Sequence, residues 1–123
     1  MPVIHPGQGA VHEVHGSRFT SYVAPSRGSR QLCAWRLTVP AGLTGTAHRP
    51  TREEVLLVQD GDLAVSIDGR TTHLAPGDVV LVPADSMLRV DGGTAAASLW
   101  VTTTPGIEAV LADGSRLSPP WAA

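Results

Sequence analysis

Along most of this chain, apolar and polar residues alternate in short runs, and glycine or proline breaks each run. Alternation at period two is the mark of half-buried strands, whose successive side chains face opposite sides. The clearest run is Gln31 to Val39, where Cys33, Trp35, Leu37 and Val39 share one face. Arg18 to Val23 reads as a first edge strand, ended by Pro25 and the Ser26-Arg27-Gly28-Ser29 loop. Glu54 to Gln59, Asp62 to Ile67, Arg70 to Leu74, Val79 to Val82, Met87 to Val90 and Ala95 to Thr102 follow. Asp68-Gly69 suits a two-residue hairpin turn, whose type I′ geometry needs positive φ at both central positions. A last hairpin around Asp113-Gly114 leads to Pro119-Pro120-Trp121. No comparable stretch holds a helical period. About nine short strands in so small a space must close or double their sheet to hide its edges, which predicts an all-β sandwich or barrel. Residues 1–17 are polar and rich in Gly and His, and are expected to form an arm over the barrel or across a dimer. The barrel itself is expected over 18–123.

The length of 123 residues suits one hydrophobic core, since two would each be too small. A net charge of −2 gives no electrostatic reason to expect a nucleic-acid or anionic-membrane partner. All nine basic residues are arginine, which excludes Schiff-base chemistry on a lysine of this chain and fits a GC-rich bacterial genome. Cys33 is the single cysteine, so no intrachain disulfide forms, and its strand position predicts a buried thiol. Neither a basic-then-apolar leader nor a long apolar run is present, and a cytoplasmic protein is expected.

Two spacings carry chemistry. Gly42, five residues, His48-Arg49-Pro50, three residues, Glu54, six residues and Gly61 form the first. Gly77, five residues, Pro83-Ala84-Asp85, two residues, Leu88, three residues and Gly92 form the second. Together they resemble the two conserved motifs of the cupin superfamily. The first departs only at Pro50, where the motif has a second histidine. The second keeps its glycine and proline but lacks the later glycine, the histidine and the asparagine, at Asp85, Leu88 and Gly92. The resemblance implies an all-β, double-stranded β-helix barrel of the jelly-roll type. In typical cupins, the three histidines and the glutamate bind iron, manganese, nickel or zinc. Here only His48 and Glu54 offer donors, because Pro50 and Leu88 have none, and such metals need several converging imidazoles and carboxylates. No cofactor is therefore expected. The alternative is a divalent transition metal on His48 and Glu54 with unpredicted ligands, for which His12, His15 and His73 are candidates.

The resemblance also turns His48 and Glu54 into the barrel. Alternation then adds Leu56 and Val58 beside Glu54, and Ser86 and Val90 beside Leu88, describing an apolar pocket with one imidazole and one carboxylate. Trp35 and Trp100 are candidates for stacking on a planar ligand. Arg49, beside the mouth, is the best of Arg36, Arg49, Arg52 and Arg89 for clamping an anionic ligand. Glu53 is expected to face solvent, and Trp121 to anchor the tail or a dimer contact. Burial raises a carboxyl pKa and a nearby cation lowers it, so His48 and Glu54 suit acid–base work near neutral pH. They also suit a bland role in which they only hydrogen-bond each other. Three functions stay open: a metal-independent isomerase, cyclase or lyase acting on a small organic molecule; a non-catalytic ligand-binding or sensor module; and a metal-dependent oxygenase or lyase with a non-standard ligand set. By analogy with small cupins a homodimer is expected, with Arg18 to Val23 as the strand that partners would exchange.

Overall fold

The computed structural model describes residues 2–123 and contains twelve strands. They are β1 (Ala10–Val14), β2 (Ser17–Val23), β3 (Cys33–Val39), β4 (His48–Pro50), β5 (Glu54–Asp60), β6 (Leu63–Ile67), β7 (Arg70–Leu74), β8 (Val79–Val82), β9 (Leu88–Gly92), β10 (Ala97–Thr103), β11 (Ala109–Leu111) and β12 (Arg116–Leu117). Two six-stranded sheets run β1-β2-β3-β10-β5-β8 and β12-β11-β4-β9-β6-β7, with every pairing antiparallel. They face each other as a double-stranded β-helix barrel, the predicted class. The inner positions of β3 (Cys33, Trp35, Leu37, Val39), β5 (Leu56, Val58), β6 (Leu63, Val65) and β10 (Leu99, Val101) are all buried in one cluster. Each set lies at period two, as alternation requires.

The N-terminal stretch differs from the expected arm. Ala10–Val14 pairs residue for residue with β2, from Ala10 opposite Ser21 to Val14 opposite Ser17. It therefore extends the sheet of its own chain. The tight turn between them places His15 (φ 51) and Gly16 (φ 80) in left-handed backbone. The segment expected to be exchanged, Arg18 to Val23, is held between β1 and β3 of the same chain.

Strand ends shift where polar groups intervene. Asp62 accepts hydrogen bonds from the backbone N–H of Thr94 and Ala95, so β10 begins only at Ala97. Asp68 and Gly69 adopt φ of 50° and 82°, the hairpin geometry expected of them. Gly61 has φ 75°, and a Cβ there would stand 2.0 Å from the Ala96 carbonyl oxygen, so this motif glycine is required twice over.

The C-terminal turn Pro120–Ala122 packs on the barrel, with Trp121 and Ala122 buried in its core cluster. Ser21 Oγ donates to the Trp121 carbonyl at 2.7 Å, and Cys33 Sγ donates to the Ala122 carbonyl at 3.4 Å. The Trp121 ring stacks on Phe19 with centroids 3.7 Å apart. Cys33 is buried and free, as expected, and burial pushes its thiol pKa up. Among the described residues no helix is long and apolar enough to cross a membrane.

Candidate functional site

A cavity of about 120 Å³ opens inside the barrel. Strand alternation builds most of its wall: Trp35, Leu37 and Val39 from β3, Leu56 from β5, Leu88 and Val90 from β9, and Val101 from β10. The polar groups in the lining are few, and among them are His48, Glu54, His15, Thr46 and Glu108. His15 and Thr46 are exposed, so the cavity reaches solvent on their side.

Glu54 opens β5 and is 8% exposed. Burial pushes its carboxyl up to about 7, with no hydrogen bond or neighbouring cation pulling it back. The carboxyl thus changes charge within the neutral range. His48 opens β4, directly opposite Leu88 on β9. Its Nδ1 lies 2.9 Å from the Thr46 carbonyl oxygen. A carbonyl only accepts, so Nδ1 donates, and in the neutral ring Nε2 is left as the free acceptor. The ion pairs among the described residues are Arg18–Glu13, Arg89–Asp91 and Arg116–Glu108, so His48 and Glu54 are not salt-bridged to each other. The bland reading of the two as a mutually satisfied pair finds no contact to support it.

Of the residues singled out in the sequence, His48, Glu54, Trp35, Leu56 and Leu88 meet at the cavity. Val58, Trp100, Arg49 and Ser86, whose hydroxyl donates to the Pro83 carbonyl, do not line it. Val58 lies two residues beyond Leu56 on the same inward face and is consumed by the core. Trp100 alternates with the inward Leu99 and Val101, so it faces out, its ring 5.8 Å from Tyr22. Arg49 sits between the two inward positions of β4, is exposed, and donates to the Asp85 carbonyl at 2.8 Å. Arg36, Arg52 and Arg89 are also outside the lining, so no arginine clamp faces the cavity. Glu53 and His73 are exposed.

The sequence reading missed the wall contributed by both chain ends. Val14, Phe19, Ile107, Leu117 and Trp121 all face the cavity. Val14 and Phe19 belong to the paired strands β1 and β2, and Trp121 had been assigned only an anchoring role. The available signal was the alternation of Ala10, His12 and Val14, obscured by the two histidines and Glu13 around it.

The donor set does not fit the metal found in typical cupins. His48, Pro50, Glu54 and Leu88 all line the cavity, but only two carry donor atoms. His15 lies at the mouth and His12 beside the Trp121 ring, 6.3 Å away, and neither completes a set. Among the described residues no group of three or more His, Cys, Asp or Glu is arranged to hold a metal ion.

This barrel, with its motif spacings, defines the class. Residues 35–102 match the cupin domain family, more than half of the chain, and the chain belongs to that family. A curated relative is the endoribonuclease YbeY of Myxococcus xanthus (strain DK1622), 28% identical over 99 residues. That match covers 79% of this chain and 34% of the relative, so the chain spans about a third of that protein's length. Among solved structures, the polyketide cyclase RemF from Streptomyces resistomycificus superimposes with a TM-score of 0.76 at 15% identity, covering 87% of this chain and 83% of that one. A salicylate 1,2-dioxygenase from Pseudaminobacter salicylatoxidans gives 0.67 at 26% identity, covering 79% of this chain and 28% of that one.

Proposed function

We propose that the barrel binds a small, largely apolar organic molecule and moves protons on it without a metal, as an isomerase, cyclase or lyase does. The observation that carries this is Glu54, a carboxyl in an apolar cavity whose pKa of about 7 lets it both take and return a proton at neutral pH. His48, its Nδ1 tethered to Thr46, presents Nε2 as a second proton acceptor on the same lining. The likeness to RemF concerns the fold, so the reading rests on these side chains. The likeness to the dioxygenase is the ground for the metal-dependent reading, against which stands a donor set of one imidazole and one carboxylate.

Hydrogen exchange at a ketone tests the chemistry without a known substrate. In D2O containing EDTA, the Glu54 carboxylate takes an α-proton of cyclohexanone, the C–H pair moves into the enolate, and a deuteron returns to carbon. Proton NMR is expected to show faster loss of the α-proton signal with the wild-type protein than with Glu54→Gln. Equal rates would leave the non-catalytic binding module as the better reading. A wild-type rate present in a parallel run without EDTA and lost with EDTA would favour the metal-dependent one.

The reading includes a second copy of the chain. Val55 stands opposite Leu81, and Leu57 opposite Val79, on the outer face at edge strand β8. Val79 and Leu81 are 64% and 57% exposed, an apolar strip beside an unpaired edge that a symmetric partner would cover.

A further inference from the structure

Behind the wall that carries His48 lies a carboxylate whose contacts run back to it. Leu88 and Val90 of β9 line the cavity, whereas Arg89 and Asp91, which alternate with them, do not. Asp91 divides its two oxygens. Oδ1 accepts the backbone N–H of Gly45 at 2.8 Å. Oδ2 receives Arg89 through Nε at 3.0 Å and Nη2 at 2.8 Å. The Arg89 side chain is 46% exposed, and so open an ion pair contributes little by itself. Its effect here is to hold Asp91 with Oδ1 on Gly45.

Gly45 takes a side-chain partner because the strand has stopped. β4 begins at His48, paired with Leu88. Carried further, the same register would set Gly45 opposite Asp91, but Gly45 lies outside β4. There the Asp91 carboxylate stands in for a ladder carbonyl. A bond to a charged acceptor is stronger than one between neutral groups. Gly45 is confined by the backbone too, since a Cβ there would stand 2.0 Å from the Val90 carbonyl oxygen. One residue on, the Thr46 carbonyl oxygen lies 2.9 Å from His48 Nδ1. Gly45, Thr46 and His48 all line the cavity.

We propose that Asp91 is a positioning residue for His48: by pinning Gly45 it keeps the Thr46 carbonyl on Nδ1–H and so leaves the lone pair on Nε2. Asp91 itself lies outside the cavity. That the Nε2 lone pair then accepts a proton rests on the function proposed above; the tautomer does not.

NMR of protein carrying 15N-labelled histidine reads the tautomer, because bare and protonated ring nitrogens resonate far apart. The chain has five histidines, and His48→Gln identifies the His48 signals. At pH 9, above the ordinary imidazole range, wild-type His48 is expected mainly as the Nδ1–H form. Asp91→Ala removes the acceptor and is expected to lower the ratio of Nδ1–H to Nε2–H by about fivefold, the worth of one hydrogen bond. Asp91→Asn keeps a side-chain oxygen for Gly45 and is expected to retain the wild-type ratio. A ratio unmoved by Asp91→Ala overturns the proposal. So does an equal loss in Asp91→Asn, which would mark a general loosening of the wall. Should Asp91→Ala fail to fold, Asp91→Leu makes the same comparison with the space filled. A wild-type His48 that is mainly Nε2–H overturns the proposal without any variant. The cyclohexanone exchange rate keeps the two readings apart. No exchange in the wild type, with the tautomer shift present in Asp91→Ala, upholds the role of Asp91 and overturns the proton-transfer reading.

Discussion

Glu54→Gln replaces a buried carboxyl by an amide of nearly the same shape, and its effect on stability follows from the sign of the pKa shift. The carboxyl titrates near 4.5 in the unfolded chain and at about 7 when buried. Between those values the folded protein holds a proton that the unfolded chain has released. Stability therefore falls as pH rises through this window, and the loss is complete above about 7. At 1.36 kcal/mol per pKa unit, the span from 4.5 to about 7 amounts to about 3 kcal/mol. Glutamine cannot ionise, so the variant is expected to match the wild type within about 1 kcal/mol at pH 5 and to exceed it by about 3 kcal/mol at pH 8. Urea unfolding followed by tryptophan fluorescence across pH 5 to 8 measures this. With an m-value of about 1.5 kcal/mol/M, the midpoints should separate by about 2 M at pH 8. Subtracting the two curves removes every other titrating group, including Asp62 and Asp113, whose carboxyls are held low by hydrogen bonds from Thr94 and Ser115. A difference that stays constant from pH 5 to pH 8 would refute the argument and remove Glu54 as a neutral-range acid.

Three further substitutions probe the frame and its outer face. Gly61→Ala places a Cβ 2.0 Å from the Ala96 carbonyl at φ 75°, and is expected to cost about 3 kcal/mol or more in urea unfolding; a loss under about 1 kcal/mol would show that the backbone relaxes freely there. Asp85 occupies left-handed backbone at φ 64°, where the cupin motif has glycine, so Asp85→Gly is expected to stabilise by about 0.5–1 kcal/mol. A melting temperature that falls instead would point to an unrecognised role for the Asp85 carboxylate. Leu81→Arg puts charge into the apolar strip beside β8 and is expected to turn a wild-type dimer into a monomer in sedimentation velocity, whereas identical sedimentation of the two proteins would dismiss that face as the interface.

Much of the fold was legible because alternation and turn chemistry are local. Cys33, Trp35, Leu37 and Val39 declare an inner face by period alone, and Asp68-Gly69 declares its turn by the φ values it tolerates. The family spacing then brought His48, Glu54 and Leu88 to one cavity, which no local rule does. What stayed hidden depends on position along the barrel and on contacts between chain ends. Period two told that Val58 faces inward but not that the core takes it before the cavity begins. Arg49 and Trp100 were misplaced for a related reason. Each neighbours inward residues, and the reading gave weight to their chemistry over the alternation that turns them out. Trp121 reaches the cavity only because Ser21 and Cys33, about a hundred residues away in sequence, hold the tail by its carbonyls. The motif's lost glycine is legible in retrospect, since Asp85 keeps its left-handed geometry. Gly92, standing where the motif has asparagine, is pressed so closely that a Cβ would meet the Pro40 carbonyl at 2.1 Å.

The two missing donors and the raised Glu54 pKa express one physical fact. With Pro50 and Leu88 in place of imidazoles, nothing near the carboxyl offers positive charge, and burial alone governs its titration. Restoring donors should reverse this. Leu88 faces His48 across β4 and β9, and Pro50 lines the same cavity, so Pro50→His with Leu88→His would gather three imidazoles and Glu54 around one space. Three imidazoles and a carboxylate suit a divalent transition metal. The double variant is expected to take up close to one equivalent of zinc or nickel in elemental mass spectrometry after dialysis, and to gain thermal stability on adding it. Bound metal would hold Glu54 ionised, so the fall in stability between pH 5 and pH 7 should disappear in the loaded variant. A folded double variant that retains no metal would show that these positions have drifted apart in this barrel, so that restoring the donors alone does not restore a site.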